Sequence, residues 1–134
     1  LALEKKLSDF DKALQRLEES YEKTVLNQNN EEYSFFRDAT IQRFEFTLEI
    51  AWKSIKHFLL EYEGVSCQSP KGCVREFLSC GYLTQAQTVG FLEMIDDRNL
   101  STHTYHEEVA ETIFMHIKRY LPLLKHIYKL LDKS

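Results

Sequence analysis

The chain has 134 residues, 43% of them hydrophobic, enough for a single domain over 1–134 to bury a core without disulfides or metal. Its formal net charge is only -4, so no global positive field draws it to nucleic acid or anionic lipid, and any such contact has to be local. Cys67, Cys73 and Cys80 leave one thiol over in any disulfide scheme and have no zinc-like spacing, so all three are read as reduced. No apolar run approaches the roughly 20 residues of a membrane span, and no signal-peptide core follows the charged start, which makes the cytoplasm the expected location.

Leu3, Leu7, Phe10, Leu14, Leu17 and Tyr21 step by four and three and define one stripe of a first helix. The amide-rich segment 27–30 favours a turn and ends it. A second, longest helix carries Ile41, Phe44, Leu48, Ala51, Ile55, Phe58 and Tyr62 and stops before Gly64. Phe35, Phe36, Phe46, Ile50, Trp52 and Leu59 lie off that stripe, so the helix has more apolar surface than one groove requires, and a second partner, either a helix or a subunit, is expected.

Ser69 followed by Pro70 is an N-cap with a first-turn proline, and Gly81 suits the left-handed position after a helix, so 71–80 reads as a short helix. Thr84 with Gln87 forms a capping box for a further helix to about Arg98. The pattern then fails over 100–102, and Thr104 with Glu107 is read as a second capping box, starting the last helix at Tyr105. That helix packs through Val109, Ile113, Ile117, Leu121, Leu124, Ile127 and Leu131, with a bend and not an end at Pro122. Short connections between three long and two shorter helices favour an all-α, antiparallel up-down bundle.

The polar segment 96–106 falls at the predicted break between the last two helices. On one uninterrupted helix Arg98 and His103 would point to different faces, whereas a break lets guanidinium and imidazole converge. Arg98 could then hold a phosphate bidentately beside the N-terminus of the last helix, while His103 trades a proton near neutral pH. That combination suits metal-independent cleavage of RNA by its own 2′-hydroxyl. The competing reading has Arg98 paired to Asp96 or a neighbouring helix, with His103 and Tyr105 closing a turn.

Three segments, 43–53 (RFEFTLEIAWK), 69–75 (SPKGCVR) and 98–105 (RNLSTHTY), resemble in this order the nucleotidyltransferase substrate-binding subunits of the HEPN superfamily. The likeness spans nearly the whole chain. It implies an up-down bundle that forms a homodimer within a hetero-oligomer, works with a separately encoded minimal nucleotidyltransferase, and binds nucleotide or RNA, often in a two-component toxin–antitoxin-like module. Arg98, Asn99, His103 and Tyr105 match the superfamily signature. By similarity, His103 is the acid or base, Arg98 and Asn99 serve the phosphate, and Tyr105 is the residue that the partner adenylylates.

Glu45 and Glu49, four residues apart on the long helix, are placed to face a groove and bind a base, ribose or metal, or else to lie on a solvated face with Glu49 paired to Lys53. Trp52 is read either as a stacking platform for a nucleobase or as part of the core or a dimer interface. No metal site and no cofactor are expected: His103 and His106 lack a third ligand. The chain is not itself the transferase, because none of its glycines precedes serine and Asp96 and Asp97 diverge by about 100° on a helix, whereas carboxylates that share a metal must converge. The expected function is a nucleotide- or substrate-binding subunit using Arg98, His103, Trp52 and Glu49. The alternative is an endoribonuclease toxin silenced by adenylylation of Tyr105.

Overall fold

The computed structural model describes residues 2–133. Five helices appear in the order α1 (Ala2–Leu26), α2 (Tyr33–Phe58), α3 (Pro70–Ser79), α4 (Gln85–Leu100) and α5 (Glu107–Leu131), with no strand among the described residues. The helix α2 continues into a π-helical turn, Leu59–Glu63, which stops at Gly64 in the left-handed region with φ 65. A residue with a β-carbon is disfavoured there, so the predicted stop is the observed one.

Partner residues fix the directions of the helices. Ser20 and Thr24 bond Thr40 at 2.6 and 2.9 Å, and Thr47 donates to the Ala13 carbonyl at 3.2 Å, so α1 and α2 run antiparallel. Phe44 stacks on Tyr120 while Tyr33 reaches Glu111, so α5 runs parallel to α2. Tyr21 against Phe114 and Phe10 against Tyr128 set α5 antiparallel to α1. With α4 antiparallel to α5 through Asp97 and His116, the long elements alternate up and down, and α3 forms part of the crossover between α2 and α4. The helix α2 touches all four others and is the axis of the fold.

The stripe read from α1 is buried at Leu3, Leu7, Phe10, Leu14 and Leu17, and the α2 and α5 stripes meet it in a single core with Phe44, Ile55, Ile117 and Leu124. Of the surplus apolar residues on the second helical segment, Leu59 is fully buried, Ile50 and Trp52 pack against the core, and only Phe35 and Phe46 remain exposed large hydrophobics. The helix α5 runs through Pro122, which is exposed, without ending.

Two expectations are corrected. Cys67 and Cys73 are not reduced thiols but form a disulfide, because the turn through Ser69 and Pro70 into α3 brings their Cα atoms to 5.2 Å; Cys80 alone is free. The last helix does not start at Tyr105 through a Thr104–Glu107 capping box. It starts at Glu107 with His106 as N-cap and no side-chain cap, because the Glu107 carboxylate is taken by Arg37 of α2. A tertiary ion pair has displaced the local cap.

Candidate functional site

Arg98 lies in the last turn of α4, whose start is fixed by the predicted capping box of Thr84 and Gln87, both bonds being present. Its guanidinium reaches across to α2, with Nη1 3.3 Å from Glu45 Oε2 and 3.4 Å from the Ser101 hydroxyl, which itself donates to Glu45. Of the readings open from the sequence, pairing to a neighbouring helix is realised, and the partner is Glu45, not Asp96. Asp96 is instead held by Lys71 of α3 at 2.7 Å.

Beside that ion pair is a small cleft of about 160 Å³ lined by Leu48, Glu49, Trp52, Pro70, Ile95, Arg98 and Asn99. It brings together Arg98, Asn99, Trp52 and Glu49, which the sequence placed in separate segments. The Trp52 indole N–H donates to Glu49 at 3.2 Å, and Lys53 lies 3.1 Å from the other oxygen, as its spacing predicted. Burial pushes the Glu49 pKa up, but those hydrogen bonds, with the Lys53 and Arg98 charges, outweigh it and leave the carboxyl below its ordinary value. Glu49 is therefore an anion facing the cleft, while the Arg98 side chain remains about one-third exposed.

The walls are held by one cap that the sequence predicted and by partners that it did not disclose. Pro70 is fixed by the Ser69 N-cap, whose hydroxyl accepts from Gly72 at 3.0 Å, and by the disulfide that flanks it. On the opposite face of α4, Asp97 is buried and accepts from the Tyr120 hydroxyl, while His116 Nδ1 lies 2.8 Å from it. Burial and that carboxylate raise the Tyr120 pKa. Only the Asp-Asp pair was visible in the sequence; its partners lie on α5, beyond the reach of a spacing rule.

His103 and Tyr105 are arranged differently. After α4 the chain makes a 3-10 turn, Ser101–His103, one residue later than the irregularity expected over 100–102, and then a turn closed by His106 N–H to the His103 carbonyl at 3.1 Å. His103 is exposed and its Nδ1 lies 3.1 Å from the Tyr105 hydroxyl; Tyr105 is 74% exposed. No hydrogen bond joins Arg98 to His103 among the described residues, so within one chain the expected convergence is not a direct contact. The far end of the segment is tied down by Arg37, only 2% exposed, which forks onto Glu107 at 2.8 and 3.2 Å and reaches Glu111 at 3.4 Å. The hydrogen bond to Glu107 raises the Arg37 pKa despite burial.

Comparison with known proteins agrees with this architecture. Over residues 5–133 the sequence matches the family described as nucleotidyltransferase substrate binding protein like. A Thermus thermophilus protein of known structure is 35% identical, with TM-score 0.83, covering 92% of this chain and 99% of that one. The Haemophilus influenzae protein HI0074, described as revealing the fold of a substrate binding domain of a nucleotidyltransferase, superposes with TM-score 0.72 at 22% identity over 93% of this chain and 98% of its own. A tri-AMPylated Shewanella oneidensis HEPN toxin, solved in complex with MNT antitoxin, shares the fold with TM-score 0.73 at 14% identity over 98% and 97%. No curated protein matches in sequence. With nearly its whole length covered by one family, the chain belongs to the nucleotidyltransferase substrate binding protein-like family.

Proposed function

We propose that this chain is the substrate-binding subunit of a two-chain nucleotidyltransferase, and that the cleft between α2, α3 and α4 receives a phosphate-bearing ligand, a nucleotide or the end of an RNA. The observation that carries this reading is the meeting of Arg98, Asn99, Trp52 and Glu49 around one opening. The guanidinium of the partly exposed Arg98 supplies a fork for phosphate oxygens, Trp52 an apolar ring face, and Glu49 an acceptor for ribose hydroxyls or a base amino group.

The partner is a minimal nucleotidyltransferase that brings the catalytic metal, and the pair acts in the cytoplasm, in a toxin–antitoxin-like module. A second copy of the chain completes the assembly. Phe35 in the first turn of α2 is 75% exposed, and Leu100 and Tyr105 are exposed after α4, apolar area that a twofold partner would cover. Light scattering at micromolar concentration should give a dimer; a monomer would refute this part of the reading.

The test of the binding reading is a calorimetric titration of ATP into wild type and Arg98→Ala, matched by circular dichroism. Binding that weakens at least tenfold in the variant supports it. Equal affinity in both removes Arg98 from the site and overturns it.

A second reading is favoured by the exposed His103–Tyr105 pair. With Nδ1 facing the Tyr105 hydroxyl, the other imidazole nitrogen is left to exchange a proton with an RNA 2′-hydroxyl, and Arg98, brought close by a second copy or by loop movement, would steady the phosphate. In that case the Tyr105 hydroxyl attacks the α-phosphate of ATP on the partner, pyrophosphate leaves, and the added AMP places bulk and negative charge beside the site. Cleavage of RNA in metal-free buffer by wild type but not by His103→Ala would establish this reading; equal absence of cleavage in both would sink it.

A further inference from the structure

A much larger opening lies on the other flank of α2. It is a groove of about 590 Å³ between α1 and α2, floored by Ala13 and bordered by Lys12, Arg16, Arg43, Phe46 and Ile50. The groove exists because Ala13 is small and α1 lies close to α2 there, with the Thr47 hydroxyl on the Ala13 carbonyl at 3.2 Å. Glu49 borders both this groove and the Arg98 cleft, so the two openings adjoin at that residue of α2.

Three observations say what fits. Lys12, Arg16 and Arg43 have no ion-pair partner among the described residues; other surface cations such as Lys23, Arg75 and Lys118 have none either, so what sets these three apart is that they border one groove. Of the acids at the same groove, Glu49 is already paired to Lys53, which leaves Asp9 as the one carboxylate set against three cations. Phe46 is 57% exposed at the rim, a ring face with no intramolecular aromatic partner among the described residues. The other large opening, about 610 Å³ at the far end of the bundle, has the reverse charge, with Glu4, Asp11, Glu61 and Asp132 against Lys133. Unpaired cations around an exposed aromatic ring, on a chain whose net charge is -4, are the combination that binds an unpaired polynucleotide: backbone phosphates take the cations and a base stacks on the ring. A duplex keeps its bases stacked on one another and has no use for Phe46.

We infer that the α1–α2 groove is a second binding site, one that holds the backbone of a single-stranded polynucleotide as it leaves the Arg98 cleft over α2. The ligand class is thereby narrowed from a mononucleotide to an oligonucleotide. This rests on the binding reading above for its anchor at Arg98, and on the groove alone for its length.

The experiment is fluorescence anisotropy of labelled oligouridylates of two and twelve residues, with UMP as competitor, on wild type, a Lys12→Ala/Arg16→Ala/Arg43→Ala variant, Phe46→Ala and Arg98→Ala. The expected result is a twelve-mer bound at least tenfold more tightly than the two-mer. The triple variant loses that gain, and its salt dependence falls by about 2 in log–log slope, as removal of three phosphate contacts on a single strand requires. Phe46→Ala loses part of the gain, and UMP competition is unchanged in both. Affinity independent of length, or a triple variant that binds the twelve-mer like wild type, overturns the inference. So does a triple variant that dissociates a dimer and leaves oligonucleotide binding intact, since the occupant is then a second copy. Failure of the binding reading is distinct: it appears as UMP affinity unchanged in Arg98→Ala, whatever the length dependence.

Discussion

The two halves of the segment 98–105 differ in how they are held. The Arg98 half ends a capped helix, is bonded to Glu45 and Ser101, and is backed on the opposite helix face by Asp97, Tyr120 and His116. The His103 half is a 3-10 turn and an exposed turn, in which His103 and Tyr105 bond to each other and α2 grips only the helix that follows, through Arg37. A preorganised arginine beside a cleft is suited to binding, because little ordering has to accompany ligand capture. An exposed histidine and tyrosine are suited to a reagent that arrives from another molecule, whether an RNA or a transferase with its ATP.

Substitutions should divide along that line. The largest expected effect is at Asp97, where Asp97→Ala leaves the buried Tyr120 hydroxyl without its acceptor and should cost about 2–3 kcal/mol in urea denaturation. A loss under about 1 kcal/mol would mean that the Arg98 half is not locked from behind. Reduction of the Cys67–Cys73 bridge, which closes a short loop beside Pro70, should lower stability by about 2 kcal/mol on a chain-entropy estimate, read as a shift between oxidised and reduced melts. Glu45→Gln weakens the hold on Arg98 and Ser101 and should cost about 1 kcal/mol.

The pH dependence sharpens the same contrast. The Glu49 carboxyl is held below its unfolded pKa, so its contribution is present above about pH 4.5 and is lost as pH falls through the folded value. Wild type should therefore lose stability more steeply than Glu49→Gln between about pH 5 and pH 3. Parallel curves would show that Lys53, Trp52 and Arg98 do not stabilise the anion. The smallest stability effects belong to the other half: His103→Ala and Tyr105→Phe should fall within about 0.5 kcal/mol of wild type. If the second reading holds, Tyr105→Phe should nevertheless abolish AMP incorporation by the partner transferase, as read by intact mass.

How much the sequence disclosed follows the range of the interactions. Short-range determinants were legible: the α1 stripe, the Ser69–Pro70 start of α3, the Thr84–Gln87 box and the break after α4 are each written within a few residues. The start of α5 was misread because Glu107 answers to Arg37, 70 residues away, instead of to Thr104. The pairing of Cys67 with Cys73 was missed because the spacing is compatible with free thiols until α3 folds the chain back. Arg98, Asn99, Glu49 and Trp52 were named from a resemblance and from local spacing, but that they share one cleft depends on the packing of α2 against α4. The buried carboxylate at Asp97 and the groove beside Ala13 left no local signal, since both are made by partners on other helices.

Trp52 is the only tryptophan in the chain and lines the Arg98 cleft, so its emission reports ligand entry directly. Titration of ATP against Trp52 fluorescence in wild type and Arg98→Ala therefore reads ligand binding at the Arg98 cleft itself. A saturable change is expected in wild type, moving to at least tenfold higher concentration in the variant. No change in wild type, or the same curve in both proteins, would contradict the binding reading.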